Sequence, residues 1–342
     1  MQTINTANYP IYLGYDIAQK AFDNSLQQQV LICDDNIKKL YADDFFKLTW
    51  LSLSIAAGEQ SKTREVKLQL EDRLLTSGCS KQTQIVALGG GVITDLVGFL
   101  ASTYYRGIDL ITIPTSLLAM VDASIGGKTA VNTPWGKNLI GHFYAPKSVW
   151  IDVGFLKTLP RDEFSNGMAE VIKHAALFDK TYWQFLFKAS TSILSMEIDA
   201  LITMIKRSIE LKHQIVKRDP FEKKERALLN FGHTIAHGIE HATDYAIKHG
   251  EAVAYGMVLE AYIQKSPIDE LIKCLKLYGL LQHGDLNGLH LEKCLHAICH
   301  DKKNRNDAIY MVDWHDIADV DLLKVVTVNQ IEQAFSALKD IL

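Results

Sequence analysis

Cysteine is scarce in this chain, and its spacing argues against the usual structural uses. The 342 residues include five cysteines, at positions 33, 79, 274, 294 and 299, and no two of them form a CxxC pair. An odd number without paired spacing does not suit a disulfide framework and agrees with reduced thiols. We therefore expect a protein of the cytoplasm.

Long apolar runs and an excess of positive charge are also missing. No segment reaches the roughly 18 uninterrupted apolar residues of a membrane span, and residues 1–16 have neither the basic start nor the apolar core of a secretory signal. The 36 basic and 40 acidic residues give a net charge of −4. This balance argues against broad binding to nucleic acid or to an anionic membrane, so any basic site must be local.

The chain does contain enough apolar sequence for two folded domains. With 48% hydrophobic and 22% charged residues, its composition is that of a globular protein. A chain of 342 residues is too long for one ordinary hydrophobic core. The hydrophobic pattern changes near residue 160, and we predict one domain over residues 1–160 and a second over residues 161–342.

The first half carries short apolar runs separated by helical patterns, which is typical of parallel α/β structure. Buried strands are predicted at residues 30–33, 50–55, 85–88, 110–113 and 149–151, and a helix at 62–76. The second half is mainly helical. Its pattern predicts helices at 161–177, 193–217 and 252–264, and a late hairpin from strands at 308–314 and 322–328.

Three consecutive glycines, Gly89, Gly90 and Gly91, follow a predicted strand and precede a helical pattern. Glycine permits close backbone approach, and a helix N-terminus presents unpaired N–H groups to a phosphate. A pyrophosphate would fit there, although the strict GxGxxG fingerprint is absent and a tight turn also explains the glycines. Asp34, at the end of an earlier strand, is either a ribose-binding carboxylate or an ordinary turn residue.

Metal-binding side chains recur at helical spacing in the second half. Glu170 and His174 lie at i and i+4, His233 and His237 repeat that spacing, and His249 follows. Imidazoles with one carboxylate and an open position form a reasonable catalytic zinc set, and a polar helix face is the alternative. The zinc-protease motif HExxH is absent.

A rival metal cluster consists of Cys294, His296, Cys299 and His300. These side chains spread over nearly opposite faces of one predicted helix, so a single site is hard to build from them. The basic residues of the most distinctive segments also have two readings, solvated surface charge or local anion binding. They are Lys128, Lys137, Lys173, Lys212, Arg226, Lys302 and Lys303.

Several motifs, in order, resemble the 3-dehydroquinate synthase family. In the first half they are GEQSK at 58–62, GGGVITD at 89–95, PTSLLA at 114–119, DASIGGK at 122–128 and GKNLIG at 136–141. In the second half they are AEVIK at 169–173, LNFGHTIAH at 229–237, HGEAVA at 249–254 and DKK at 301–303. The resemblance implies an N-terminal NAD-binding domain, a helical C-terminal domain, a divalent metal (zinc or cobalt), and a homodimer.

The resemblance also implies roles for individual residues by matching position. The metal ligands would be Glu170, His233 and His249. The NAD contacts would be Asp34, Glu59, Lys62, Gly89, Gly90, Gly91, Asp95, Thr115, Ser116, Asp122, Lys128 and Lys137. The substrate contacts would be Arg106 from a neighbouring subunit, Lys128, Lys137, Asn138, Lys173, Lys212, Arg226, Asn230, His237 and a lysine at 302 or 303. Catalytic roles would fall to Asp122, Lys128, Lys173, Arg226, Asn230 and His237.

Two departures from the family pattern stand out. Asp162 occupies a position where the family usually has arginine, which bears on local salt bridging. In the segment around His237, Ala236 and Gly238 exchange the usual glycine and alanine, which bears on helix packing.

The activity implied by the resemblance converts 3-deoxy-D-arabino-heptulosonate 7-phosphate to 3-dehydroquinate and phosphate in aromatic biosynthesis. NAD would be reduced and then regenerated, so the net reaction is that of a lyase. Sibling sugar-phosphate cyclases share NAD and metal, but their common substrates carry no carboxylate to match Lys212 and Arg226. A metal-dependent alcohol or glycerol dehydrogenase would instead consume NAD stoichiometrically, and a non-catalytic NAD sensor would need no metal set.

Overall fold

The computed structural model describes residues 1–6, 8–22, 28–222, 224–282, 286, 288–300 and 308–342. The chain divides into two compact units, Met1–Leu159 and Pro160–Leu342. Among the described residues, no helix combines the length and the apolar character that crossing a membrane requires.

The first unit is built around a seven-stranded sheet in the order β1-β2-β9-β6-β5-β3-β4, with a separate β7–β8 hairpin. Its strands are β1 (Gln2–Asn5), β2 (Pro10–Gly14), β3 (Gln29–Asp34), β4 (Leu51–Ile55), β5 (Gln84–Gly89), β6 (Leu110–Pro114), β7 (Lys128–Thr133), β8 (Gly136–Phe143) and β9 (Ser148–Asp152). Its α-helices are α1 (Asp35–Phe45), α2 (Arg64–Thr76) and α3 (Gly91–Thr103). All neighbouring strands of the sheet are parallel except β1 and β2.

The central strands are apolar because both faces of the sheet are covered. Every residue of 30–33 in β3 and of 85–88 in β5 is fully buried. Continuous apolar runs of this kind are the mark of parallel strands with helices on both faces. The five predicted strands and the α2 helix are confirmed, except that Trp50 lies outside β4 and is half exposed and that α2 begins at Arg64.

The prediction missed β1, β2 and the β7–β8 hairpin. Strand β1 is short and largely exposed at the edge of the sheet, and all but the first two residues of β8 are exposed. Neither strand has the buried run or the clean alternation that marks a strand in a sequence. Edge strands are held by pairing to a neighbour, which no local pattern encodes.

The second unit consists of nine α-helices and one hairpin among its described residues. The elements are α4 (Arg161–Phe178), α5 (Lys180–Lys188), α6 (Ser190–Leu194), α7 (Ile198–Arg218), α8 (His233–Ala242), α9 (His249–Gln264), α10 (Asp269–Leu277), α11 (Leu291–Cys299), β10 (Ile309–Asp316), β11 (Asp319–Val326) and α12 (Val328–Ile341). Strands β10 and β11 pair in antiparallel fashion, as predicted.

Two details of the helical prediction are wrong. The helix predicted at 193–217 is broken between α6 and α7, where Met196 adopts a positive φ of 62°. Val328, predicted as strand, is the first residue of α12, because Thr327 and Gln330 form a capping box in front of it. A short-range cap overrides the β-propensity of valine at that position.

Helix α9 is the centre of the second unit, with every residue from Gly250 to Ala261 buried. It crosses the start of α8 so closely that a Cβ on Gly256 would lie 1.9 Å from the carbonyl oxygen of Gly232. Such a distance excludes any side chain at that point. The crossing places the first residues of α8 beside α9.

The exchange of Ala236 and Gly238 has a packing explanation. A Cβ on Gly238 would lie 2.6 Å from Ile298 and 2.9 Å from the sulfur of Cys294, both on α11. The absence of a side chain at 238 therefore lets α11 approach α8. Cys294 serves this packing, and among the described residues neither it nor His296, Cys299 or His300 joins a three-residue metal-binding group.

Candidate active site

Three candidate metal ligands converge in the second unit. Glu170 lies on α4, His233 is the first residue of α8, and His249 is the first residue of α9. One potential ligand atom from each lies within 4.8 Å of the others. His233 Nε2 is 3.6 Å from Glu170 Oε1, and the two histidine rings are 5.2 Å apart. The sequence separates these residues, and the fold brings them together.

Each of the two histidine rings has a hydrogen-bond acceptor beside Nδ1. His233 Nδ1 lies 3.3 Å from the carbonyl oxygen of Phe231, and His249 Nδ1 lies 3.4 Å from Glu240 Oε2. A carbonyl or an ionised carboxylate can only accept, so in the neutral form of each ring Nδ1 carries the proton and Nε2 keeps its lone pair. This is the tautomer that binds a divalent metal.

The carboxylate of Glu170 is also suited to a metal. It is fully buried, and Oε1 accepts no hydrogen bond from the described residues. Its Oε2 lies 2.5 Å from Nζ of Lys173, which is itself 2% exposed. A buried carboxylate oxygen without a hydrogen bond is unfavourable unless a cation supplies the missing interaction. The donor set of one carboxylate and two imidazoles therefore fits a divalent metal ion.

Polar contacts between α4 and α9 fix the position of His249. The amide of Gly250 donates to Asn166 Oδ1 at 2.5 Å, and a Cβ at Gly250 would overlap the backbone of Asn166. Lys248 Nζ lies 2.5 Å from Asp162 and 2.6 Å from Glu163. Asp162, which stands where the family usually has arginine, thus forms a salt bridge with Lys248. Lys248 lowers the pKa of the Asp162 carboxyl.

The predicted anion-binding residues of the second unit include two further buried cations. Lys212 is 5% exposed and Arg226 is 3% exposed, which excludes the alternative of solvated surface charges. Arg226 donates from Nη1 to the carbonyl of Pro220 at 2.7 Å, and its amide donates to Asp219. Buried cations are unfavourable for stability by themselves, so these two residues are candidates for binding an anion.

Of four more predicted residues, the structure describes two. Asn230 is half-buried and donates to Glu222 at 2.8 Å. His237 is half-buried, with its ring 5.9 Å from that of His233. Lys302 and Lys303 lie outside the described residues.

One buried histidine beside the candidate metal ligands was grouped with Glu170 by its spacing in the sequence but is not among the three ligands that the family resemblance implies. His174 is fully buried, its Nε2 lies 4.0 Å from Glu170 Oε2, and its Nδ1 lies 2.7 Å from Ser208 Oγ. Its spacing from Glu170 was visible in the sequence, but Ser208 lies on another helix. His174 is thus a second histidine, besides His233, whose ring approaches the Glu170 carboxylate.

The glycine turn of the first unit has the geometry of a phosphate-binding loop. Gly89 ends β5, Gly90 precedes the helix, and α3 begins at Gly91 without a side-chain cap. A Cβ on Gly90 would lie 3.3 Å from Ser116 Oγ, so the turn is narrow as well as bare. The amide of Thr115 donates to the carbonyl of Gly89 at 3.0 Å and ties β6 to the turn. These features fit the pyrophosphate of a dinucleotide.

Several predicted NAD and substrate residues of the first unit contact one another. Lys62 Nζ lies 2.5 Å from Asp95 Oδ2 and 2.6 Å from Asn138 Oδ1. Burial raises the pKa of Asp95, although Lys62 acts in the opposite direction. Glu59 accepts from Asn132, a residue that the sequence did not single out. These residues form one polar network.

The remaining predicted residues occupy varied positions in the first unit. Asp34 is the N-cap of α1, accepting from the amides of Asn36 and Ile37. Asp122 lies in a one-turn π-helix, a local geometry that is frequent at functional sites. Lys128, the first residue of β7, is exposed and Lys137 is half-exposed.

Comparison with known proteins shows which family this chain belongs to. Residues 52–166 match the 3-dehydroquinate synthase N-terminal family, and residues 167–304 match the 3-dehydroquinate synthase C-terminal family. The chain belongs to the 3-dehydroquinate synthase family. A 3-dehydroquinate synthase of Thermoanaerobacter sp. (strain X514) is 40% identical over 89% of this chain and 90% of its own length.

Solved structures of two sibling cyclases share the fold of this member of the family. A 2-epi-5-epi-valiolone synthase of Streptomyces hygroscopicus subsp. jinggangensis 5008, with NAD+ and Zn2+ bound, has a TM-score of 0.88 at 26% identity, covering 99% of both chains. A 2-deoxy-scyllo-inosose synthase complexed with carbaglucose-6-phosphate, NAD+ and Co2+ has a TM-score of 0.85 at 27% identity, covering 98% of this chain and 99% of the other. The sibling activities are therefore not favoured, because the relative named for 3-dehydroquinate synthase is clearly more similar in sequence.

Proposed function

We propose that this chain converts 3-deoxy-D-arabino-heptulosonate 7-phosphate to 3-dehydroquinate and phosphate, using NAD and one divalent metal, zinc or cobalt. The observation that carries the proposal is the convergence of Glu170, His233 and His249 in a unit that also buries three cationic side chains. The family match supports the same activity. Solved sibling cyclases that contain NAD+ with Zn2+ or Co2+ support the cofactors.

Each residue type has a task in this reaction. When bound, NAD would accept and return a hydride while the metal would polarise the reacting oxygen. Glu170, His233 and His249 would hold the ion, and Lys173 would hold the Glu170 carboxylate in place through their ion pair. The bare turn at Gly89–Gly91 would receive the pyrophosphate, with Lys62 and Asp95 flanking it.

Substrate recognition is assigned to the basic residues. Arg226 and Lys212 would pair with the carboxylate of the substrate, because a guanidinium presents a planar fork of donors that matches a carboxylate. His237 would face the substrate phosphate. Holding the opened intermediate in one conformation favours the final intramolecular ring closure. These charges support the substrate assignment, since the common substrates of sibling cyclases carry a phosphate but no carboxylate.

A homodimer is the proposed assembly, with Arg106 acting in the partner's site. Arg106 is exposed, and both it and Tyr105 have positive φ, at 63° and 45°. Such backbone strain in non-glycine residues is often kept at functional positions. The β7–β8 hairpin also exposes apolar side chains, including Trp135 at 79%, and supports a protein contact surface. We assign the protein to the cytoplasm, in agreement with its free cysteines.

The reaction is tested by following phosphate release and NADH absorbance together with the heptulosonate phosphate as substrate. We expect many phosphates released per bound NAD without net NADH, because the cofactor is regenerated within each turnover. Accumulation of NADH in step with product would identify a dehydrogenase instead. Absence of phosphate release from metal-loaded, NAD-loaded protein would contradict the proposed substrate.

A further inference from the structure

A buried carboxylate lies behind the candidate metal ligand His249. Glu240 is on α8, seven residues or about two turns after His233, so both side chains fall on one face of that helix. The side chain of Glu240 is 4% exposed, and its Oε2 lies 3.4 Å from His249 Nδ1. Both candidate histidine ligands are therefore linked to α8. His233 belongs to this helix, and His249 approaches its Glu240 side chain.

The buried position of this carboxylate needs a physical reason. Another buried glutamate, Glu251, accepts hydrogen bonds from the amides of Leu281 and Gln282 and so anchors the chain after α10. Glu240 instead approaches an imidazole that shares a candidate metal centre. A carboxylate that receives the second N–H of a ligating histidine fixes the ring and raises the basicity of the ligand nitrogen.

We propose that Glu240 is a positioning residue for the metal centre: it accepts a hydrogen bond from His249 Nδ1–H and thereby fixes the Nδ1–H tautomer of His249 and directs its Nε2 toward the ion. This inference rests on the proposed metal site. The partner of His233 is the neutral carbonyl of Phe231, so the two imidazoles are not equivalent.

The role can be tested by metal affinity, which does not depend on catalysis. Metal-depleted wild type, Glu240→Gln, Glu240→Leu and His249→Ala would be titrated with Zn2+ in competition with a chelator of known affinity. Glu260→Gln is the matched control, because Glu260 is fully buried but lies eleven residues, about 16 Å, further along α9 than His249. The 15N shifts of the His249 ring would report its tautomer in the metal-free proteins.

We expect Glu240→Leu to weaken Zn2+ binding by roughly 10- to 100-fold and to give a mixture of His249 tautomers. Glu240→Gln keeps an acceptor without the charge, so it should keep the Nδ1–H tautomer and lose about three- to tenfold in affinity. Glu260→Gln should match wild type in both measurements.

The outcomes separate this inference from the metal site itself. If His249→Ala loses affinity while both Glu240 variants bind like Glu260→Gln, Glu240 has no positioning role. If His249→Ala binds Zn2+ as tightly as wild type, the proposed metal site is wrong. Should the leucine variant fail to fold, the glutamine variant decides, because unchanged affinity in it also overturns the inference.

Discussion

The two units of this chain differ in the kinds of candidate functional groups they hold. In Met1–Leu159 the candidate nucleotide-binding features are a bare glycine turn, exposed side chains such as Glu59 and Lys128, and the buried Lys62. In Pro160–Leu342 the corresponding residues are buried charges, with Glu170, Lys173 and Arg226 all at 3% exposure or less. Backbone groups bind phosphate without a desolvation penalty, whereas buried charges are unfavourable unless they are paired.

The difference indicates where chemistry is expected. Burying lysine and arginine adds little to stability, so we expect Lys173, Lys212 and Arg226 to have roles in binding or catalysis. Both units also pair buried cations, as Lys62 does with Asp95 and Asn138, and Lys173 with Glu170. The bare backbone turn is found in the first unit, and the larger group of buried candidate charges in the second.

Among the substitutions that test this comparison, Arg226→Ala should have the largest effect on activity. Removing one partner of a desolvated charge pair costs about 2–5 kcal/mol, so Arg226→Ala should lower kcat/KM by roughly 30-fold to several thousand-fold. The matched control is Arg218→Ala, since Arg218 is 58% exposed and pairs with Glu225 on the surface. Its loss should be negligible.

A substrate analogue with a neutral amide in place of the carboxylate sharpens the Arg226 result. The analogue should be poor for wild type and should lose little more with Arg226→Ala. Equal losses for both compounds would show that Arg226 supports the fold through Pro220 or binds the phosphate. A thermal melt of each variant would separate those two outcomes.

The same glycine-to-alanine change should have different effects in the two units. At Gly256 the new Cβ would lie 1.9 Å from a backbone oxygen, so Gly256→Ala should destabilise the protein by about 3 kcal/mol or more. At Gly91 the Cβ would meet only Ala123 at 3.6 Å, an ordinary contact. Gly91→Ala should therefore keep the fold and weaken NAD binding by about tenfold, through loss of close backbone approach.

Denaturant unfolding and NAD titration of both variants would check this pair. Unchanged NAD affinity in a folded Gly91→Ala protein would contradict a phosphate site at the turn. A Gly256→Ala protein of wild-type stability would show that α8 and α9 can separate without loss, against the packing described for them.

The smallest effect is expected at the clamp of Lys248 with Asp162 and Glu163. All three side chains are substantially exposed, so Lys248→Met should lower the free energy of unfolding by about 1 kcal/mol or less. The loss should shrink further at high salt, because exposed ion pairs are screened. If the free energy of unfolding fell by several kcal/mol at every salt concentration, these ion pairs would stabilise the position of α9 more than their exposure indicates.

Local pattern was sufficient for the parts of the fold that are buried and continuous. Strands β3 and β5 are fully apolar runs, and the long helices show their period directly. The break at Met196 and the start of α12 at Val328 depended on single turns and caps. Strand β8 was not predictable, because its apolar residues Leu139, Ile140 and Phe143 are exposed.

The candidate site was predictable only in part, for a related reason. The sequence indicated histidines and a carboxylate at helical spacing, but the choice of Glu170, His233 and His249 came from a family resemblance. Glu240 carried no local signal, since its contact with His249 depends on how α8 and α9 cross. Tertiary contacts of this kind lie outside what spacing along one helix can encode.

The most direct test of the account is the metal dependence of phosphate release. Wild type should lose activity on thorough chelation and regain it with added Zn2+ or Co2+, and His249→Ala should bind no ion and stay inactive. The control His296→Ala should keep its metal and its activity, because His296 joins no metal-binding group among the described residues. Full phosphate release by protein verified to be metal-free would contradict the central claim.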